Sequence, residues 1–265
     1  MYRKHFGLTR YPFAKELDPD DFFSFDAATE LAARLDHLRE LRGIGLVTGD
    51  VGAGKTSLCR KFVGGLHHGI YRTFYVPNTT GNVMDLYKSI SWELGLPTER
   101  SRAALFRVIR AEVTRLCLEQ KVLPILIVDE AHLLRADVLE DLRLLTNYNM
   151  DSENRLCLLL IGQPELRRRL SMAVHEALCQ RIVVRYHLAG LSRHELPAYL
   201  SHRLRLAGTE LPLFDPPAQE ALFQISGGKL RKLNLLAHHC LFAAAADAAD
   251  AVTDDHVAKA RPEVD

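Results

Sequence analysis

The chain has 265 residues, 48% hydrophobic and 25% charged, a balance that suits a soluble globular protein of one large domain, or of a core domain with a smaller partner. Its formal net charge of +1 excludes a general polyelectrolyte-binding surface, so any nucleic-acid contact needs a local basic patch. No apolar run reaches the roughly 18 residues of a membrane helix, the start MYRKHFGLTRYPF is no secretory signal, and the cysteines form no C-x-x-C pair, which together predict a cytoplasmic protein with no membrane contact.

Residues Met1 to Phe25 are rich in aromatics and turns (Phe6, Tyr11, Pro12, Phe13, Phe22, Phe23, Phe25), and are predicted to pack on the core, with contact to a bound base as the alternative. Asp26 to Leu41 reads as a helix: Leu31, Leu35 and Leu38 share a face, and Asp26 is a candidate cap. Gly45 to Thr48 reads as a short buried strand. It runs into LVTGDVGAGKTSL, where Gly49, Gly54, Lys55 and Thr56 match G-x-x-x-x-G-K-[ST], the phosphate-binding loop. Glycines let the backbone turn tightly and bring its N–H groups to phosphate oxygens. Lys55 places a positive charge near the β- and γ-phosphates, and the Thr56 hydroxyl can ligate Mg²⁺. From Thr56 onward the chain reads as an amphipathic helix whose N-terminus faces those phosphates. The residues expected to contact ATP are therefore Gly49, Asp50, Val51, Gly52, Ala53, Gly54, Lys55, Thr56 and Ser57.

Arg72 to Pro77 is predicted as a second strand, followed by a helix through Leu94 and another over Ser101 to Gln120. That last helix carries Arg102, Arg107, Arg110 and Arg115; a solvated face is the default, and contact with a phosphate backbone the alternative. Val122 to Glu130 (VLPILIVDE) suits a central strand of a parallel sheet, ending in two acids. Asp129 is expected to hold Mg²⁺ through water, and Glu130 to orient and polarise the attacking water. Asp129 to His132 spells DEAH, also found in one helicase class, but those proteins carry two motor domains and more arginine motifs than this chain has room for.

Asp137 to Leu145 reads as a helix, Thr146 to Arg155 as a polar loop and Leu156 to Ile161 as a buried strand. Gln163 follows that strand, where a polar side chain can reach the γ-phosphate. Leu166 to Leu178 is predicted as a single helix carrying Arg167, Arg168 and Arg169, and Ile182 to Leu188 as a further strand. After Leu191 only helices are expected: Ser192 to Ala207, Pro216 to Ile225, Lys232 to Ala248 and Thr253 to Ala260, the last capped by Thr253. The turn Ser226 to Arg231 delivers an arginine to a helix start. The expected class is α/β: a P-loop three-layer αβα core with a central parallel sheet over 1–190, with 1–25 packed on it, then a small all-helical domain over 191–265.

With these pieces placed, the chain resembles the AAA+ ATPases over almost its whole length. It is most similar to the group holding the ExeA-type secretion ATPases and the transposition helper ATPases of the TnsC, TniB, MuB and IstB kinds. HFGLTRYPF, DPDDFFSF, GDVGAGKTSL, PILIVDEAHLL, LLLIGQPEL and SGGKLRKLNLL carry the likeness. The resemblance implies a helical lid after the core, Gln163 at the sensor-1 position and Arg231 as the sensor-2 arginine. It implies Arg181, or alternatively Arg185, as the arginine inserted into a neighbouring subunit's site, and Asn78 as a restraint on the catalytic glutamate. An arginine supplied in trans requires a homo-oligomer, either a ring or a helical filament, whose assembly ATP promotes. The main expectation is a transposition helper that assembles on double-stranded DNA without sequence preference, recruits a transposase and is released by hydrolysis. Its DNA contacts are sought among the arginines of the 101–120 helix and Arg167 to Arg169. The alternative is an ExeA-like secretion ATPase without its membrane and wall-binding parts. A nucleotide-state switch with little hydrolysis is the weakest reading, because the Asp129–Glu130 pair is intact.

Overall fold

A computed structural model of the chain describes residues 2–77 and 80–264. In chain order it forms α1 (Tyr2–His5), α2 (Asp26–Leu41), β1 (Ile44–Gly49), α3 (Lys55–Gly64), β2 (Tyr71–Val76), α4 (Val83–Glu93), α5 (Arg102–Thr114) and β3 (Leu123–Val128). There follow α6 (Ala136–Leu145), β4 (Cys157–Gly162), α7 (Pro164–Leu170), α8 (Glu176–Cys179), β5 (Ile182–Leu188), α9 (Leu196–Leu206), α10 (Pro216–Ser226), α11 (Leu230–Ala246) and α12 (Asp254–Ala260). Two packing units divide the chain: one holds Glu30–Gly49 and Leu58–Leu188, the other Met1–Thr29, Asp50–Ser57 and Ala189–Asp265.

The first unit is built on a five-stranded sheet in the order β2-β3-β4-β1-β5, parallel at every pairing. β1, β3 and β4 are buried at every position, as strands covered on both faces must be, which explains their nearly unbroken apolar sequence. Side chains alternate between faces. Ile44, Leu46, Phe74, Val76, Leu126, Val128, Leu158 and Leu160 join one core with buried residues of α4, α5 and α6. Ile125, Ile127, Leu159 and Ile161 point the other way and are also buried. On that second face α2 lies so close that a Cβ on Gly45 would stand 2.3 Å from Leu38 Cδ2. Helices therefore cover both faces, the expected three layers. All five strands run the same way, so the carboxyl ends of β1, β3 and β4 share one edge. The chain leaves β1 toward β2 and leaves β4 toward β5, in opposite directions, which makes that edge a topological switch point.

Two helices of this unit depart from expectation. The 101–120 helix is α-helical only to Thr114, and Arg115–Glu119 is a π turn in which Gln120 N donates to Arg115 O. The single helix expected over 166–178 is broken: α7 stops at Leu170, a 3₁₀ turn spans Ala173–His175, and α8 follows. Ser171 supplies the reason. Its hydroxyl donates to Arg168 O at 2.7 Å, competing with the backbone ladder, and Met172 is extended (ψ 144°).

In the second unit, α9 to α12 are the helices expected after residue 191, with α9 starting only at Leu196 because Ser192 N donates to the Glu195 carboxylate in a local turn. Asp215 caps α10 through Ala218 N (2.7 Å). The aromatic N-terminal segment, predicted on the α/β core, takes partners from these helices. Arg203 of α9, 4% exposed, donates to Pro12 O (2.6 Å) and Ala14 O (2.7 Å). Phe13 meets Phe214 edge-on, and the Tyr2 hydroxyl bonds His238 Nδ1.

Candidate nucleotide site

The loop after β1 turns on Gly52 (φ +81°) and Gly54 (φ +100°), a backbone region open to glycine and strained for other residues. At Gly52 space forbids a side chain as well: an added Cβ would stand 2.7 Å from Arg231 Cβ. Arg231, from the first turn of α11, donates its backbone N–H to Gly52 O at 3.1 Å, and Lys229 Nζ pairs with the Asp50 carboxylate at 2.8 Å. The predicted Arg231 is thus brought onto the loop. Lys229, which sequence reasoning passed over, holds the loop's first residue. α3 begins at Lys55 and continues with the exposed Thr56 and Ser57; Val51 is exposed and Ala53 buried. Lys55 is only 8% exposed, and its ammonium donates to Asp50 O at 2.9 Å. A nearly buried ammonium beside the N–H groups of a helix start is an anion-seeking arrangement.

In the sheet unit, β3 delivers Asp129, 4% exposed, just past its end. Its Oδ2 accepts from the Tyr75 hydroxyl at 2.9 Å, and its Oδ1 from Glu130 N at 2.8 Å. Burial, and then the Asp129 carboxylate, raise the pKa of the Tyr75 phenol, so it remains a donor at neutral pH. Glu130 is exposed and left-handed (φ 50°, ψ 32°), rare for a residue with a side chain and characteristic of functional turns. One carboxylate oxygen of Glu130 lies 3.4 Å from His132 Nδ1, and the His132 ring is 8% exposed. Arg169 of α7 closes the turn by donating to His132 O and Leu134 O. Gln163 starts α7 from a half-buried position directly after β4, and a Cβ on the preceding Gly162 would stand 3.1 Å from His132 N. The end of β4 therefore abuts the turn that carries Glu130.

The remaining predicted residues are placed less simply. Arg181 pairs with Asp151 at 2.5 Å within its own chain, while Arg185, exposed on the edge strand β5, donates to Cys179 O. Asn78 lies outside the described residues. Most arginines considered for DNA are engaged internally. Arg102 grips the buried Asp141, Arg110 donates to Asn147 O and stacks on Tyr148, Arg115 pairs with Glu112, and Arg169 serves the acidic turn. Arg107, Arg167 and Arg168 are exposed.

A phosphate-loop strand–turn–helix and an acid pair on a central parallel strand define the P-loop nucleotide-hydrolase class. The model of the AAA domain family matches residues 38–170, and the chain belongs to that family. It is accordingly an ATPase that takes ATP with Mg²⁺. The residue types fit that cofactor: Thr56 in the loop offers a hydroxyl and Asp129 in the sheet unit a carboxylate, both hard oxygen ligands.

Over 267 residues the chain is 35% identical to General secretion pathway protein A of Aeromonas hydrophila, covering 100% of this chain and 48% of that protein. It thus spans about half the length of that curated relative. Among solved structures it resembles Cdc6p from Pyrobaculum aerophilum (TM-score 0.74, 18% identity, 96% of this chain and 70% of that one). It also resembles the Aeropyrum pernix ORC1 protein, solved in complex with DNA (0.65, 19%, 97% and 69%), and the Thermotoga maritima RuvB Holliday junction motor (0.58, 18%, 96% and 73%). At such identities these likenesses show the fold alone. No helix among the described residues is long and apolar enough to cross a membrane.

Proposed function

We propose that this chain is the ATP-hydrolysing part of a secretion-pathway assembly ATPase. One observation carries the reading: the 35% identity to General secretion pathway protein A runs through the whole of this chain. The transposition-helper expectation has no comparable support. Against it, Arg102, Arg110, Arg115 and Arg169 are engaged in contacts within the chain.

In this reading the N–H groups of residues 50–57 and the Lys55 ammonium bind the β- and γ-phosphates. Thr56 and Asp129 hold Mg²⁺, which supplies neutralisation of charge on the phosphate oxygens. Glu130 accepts a proton from the attacking water, and its turn keeps the carboxylate exposed to solvent. Gln163 contacts the γ-phosphate, Arg231 reaches the nucleotide from α11, and Arg181 completes the site of a neighbouring copy. The working form is a homo-oligomer.

The test is a Lys55→Ala chain replacing the parent in the source cell, with secreted protein measured in the medium. Secretion is expected to fall while the variant accumulates normally. Undiminished secretion rejects the proposal. Fluorescence anisotropy with random duplex DNA is the companion measurement: ATP-dependent binding with a steep salt slope would return the DNA reading to first place.

A further inference from the structure

We infer that Tyr75 is a positioning residue for the Asp129 carboxylate, and so sets how much Mg²⁺ the protein needs to hold ATP. The inference rests on Asp129 as a metal contact. Each oxygen of that carboxylate takes a different donor, the Tyr75 hydroxyl on Oδ2 at 2.9 Å and the Glu130 N–H on Oδ1 at 2.8 Å. A donor on each of the two oxygens restrains the carboxylate's rotation about its own bond, and hence the direction in which its lone pairs point. The backbone donor belongs to the turn itself. The phenol is the one of the two that evolution can exchange.

The sheet register shows why a tyrosine does this. Tyr75 is opposite Ile127, so Asp129 stands two residues further along β3 on the same face. Such a diagonal neighbour is about 7–8 Å away between Cα atoms, within reach of a long aromatic and beyond a serine or threonine. Phe74 and Val76, on either side, point into the other face's core at 3% and 0% exposure, whereas Tyr75 keeps 39%. Its ring is therefore not there to fill that core.

A donor to a metal-binding carboxylate has two opposed effects. It orients the ligand, and it withdraws charge that the metal would otherwise feel. Loss of such an outer partner typically lowers metal affinity about 10–100-fold, so orientation is the larger effect.

The experiment compares the full chain with its Tyr75→Phe variant, which loses a hydroxyl and keeps the ring. MgCl₂ is titrated into protein with a fluorescent ATP analogue, read by anisotropy, and affinity for the analogue is measured separately in EDTA. Expected are an unchanged affinity in EDTA, a Mg²⁺ half-point raised about tenfold, and hydrolysis that recovers at saturating Mg²⁺. A half-point that stays or falls overturns the inference. So does equal weakening in EDTA, which marks the hydroxyl as a packing group. Asp129→Asn in the same titration tells the two assignments apart: if it leaves the parent's half-point in place, Asp129 is not the metal contact and the premise itself fails.

Discussion

Glu130 occupies a left-handed conformation that typically costs a side-chain-bearing residue about 1–3 kcal/mol, and its neighbours hold it there. Asp129 Oδ1 takes its N–H, His132 lies against its carboxylate, and Arg169 donates to the carbonyls of His132 and Leu134 further along the turn. The strain keeps the carboxylate off the sheet and in solvent, where a water can reach it. Replacing it by glutamine leaves size and turn alone and removes the proton acceptor. Glu130→Gln is expected to bind ATP like the parent and to release phosphate about 10²–10⁴-fold more slowly. Single-turnover hydrolysis alongside ATP affinity checks it, and an unimpaired rate assigns the proton to another group.

The broken helix from Pro164 to Cys179 has an acid-sensitive element at its centre. His175 is 2% exposed, and its Nδ1 has no hydrogen-bond partner among the described residues. Burial first and the Arg169 charge second hold its pKa below the ordinary value, against a smaller opposing pull from Glu140. The unfolded chain thus binds a proton at His175 that the folded chain resists. Stability is full above the unfolded pKa of about 6.5 and falls as pH drops through it. His175→Phe should flatten the loss of stability between about pH 7 and 5, read as urea midpoints at each pH; a parallel acid limb refutes this. How readable each element was follows from what positions it. β1, β3 and β4 were legible because strands buried on both faces need unbroken apolar runs, and the phosphate loop because its glycines and lysine have few substitutes. The break at Ser171 was hidden because the apolar spacing of Leu166, Leu170 and Leu178 fits one continuous helix, and only the hydroxyl's choice of Arg168 O ends it. Tyr75 and Lys229 were hidden for another reason. Their partners are 54 residues away for Tyr75, fixed by sheet register, and far across the chain at Asp50 for Lys229. In the triplet Arg167 to Arg169, local sequence offers no means of telling the clamp from its two exposed neighbours.

At the scale of the molecule, the Arg181–Asp151 pair bears on assembly. In the proposed role Arg181 would exchange Asp151 for a neighbour's phosphate, and hydrolysis would then depend on encounters between copies. Specific activity is expected to rise with protein concentration, and Arg181→Ala to lower it about 10³-fold while ATP affinity holds. Mixing that variant with Glu130→Gln should restore part of the rate, because each supplies what the other lacks; concentration-independent turnover excludes the shared site. The contact of Lys229 and Arg231 with Asp50 and Gly52 has a practical corollary for anyone trimming the gene. A fragment cut to residues 38–170 would preserve every hallmark by which the family is detected, yet strip the phosphate cradle of the helix start that shores it up. Recognisable kinship and self-sufficient chemistry have different borders in this polypeptide.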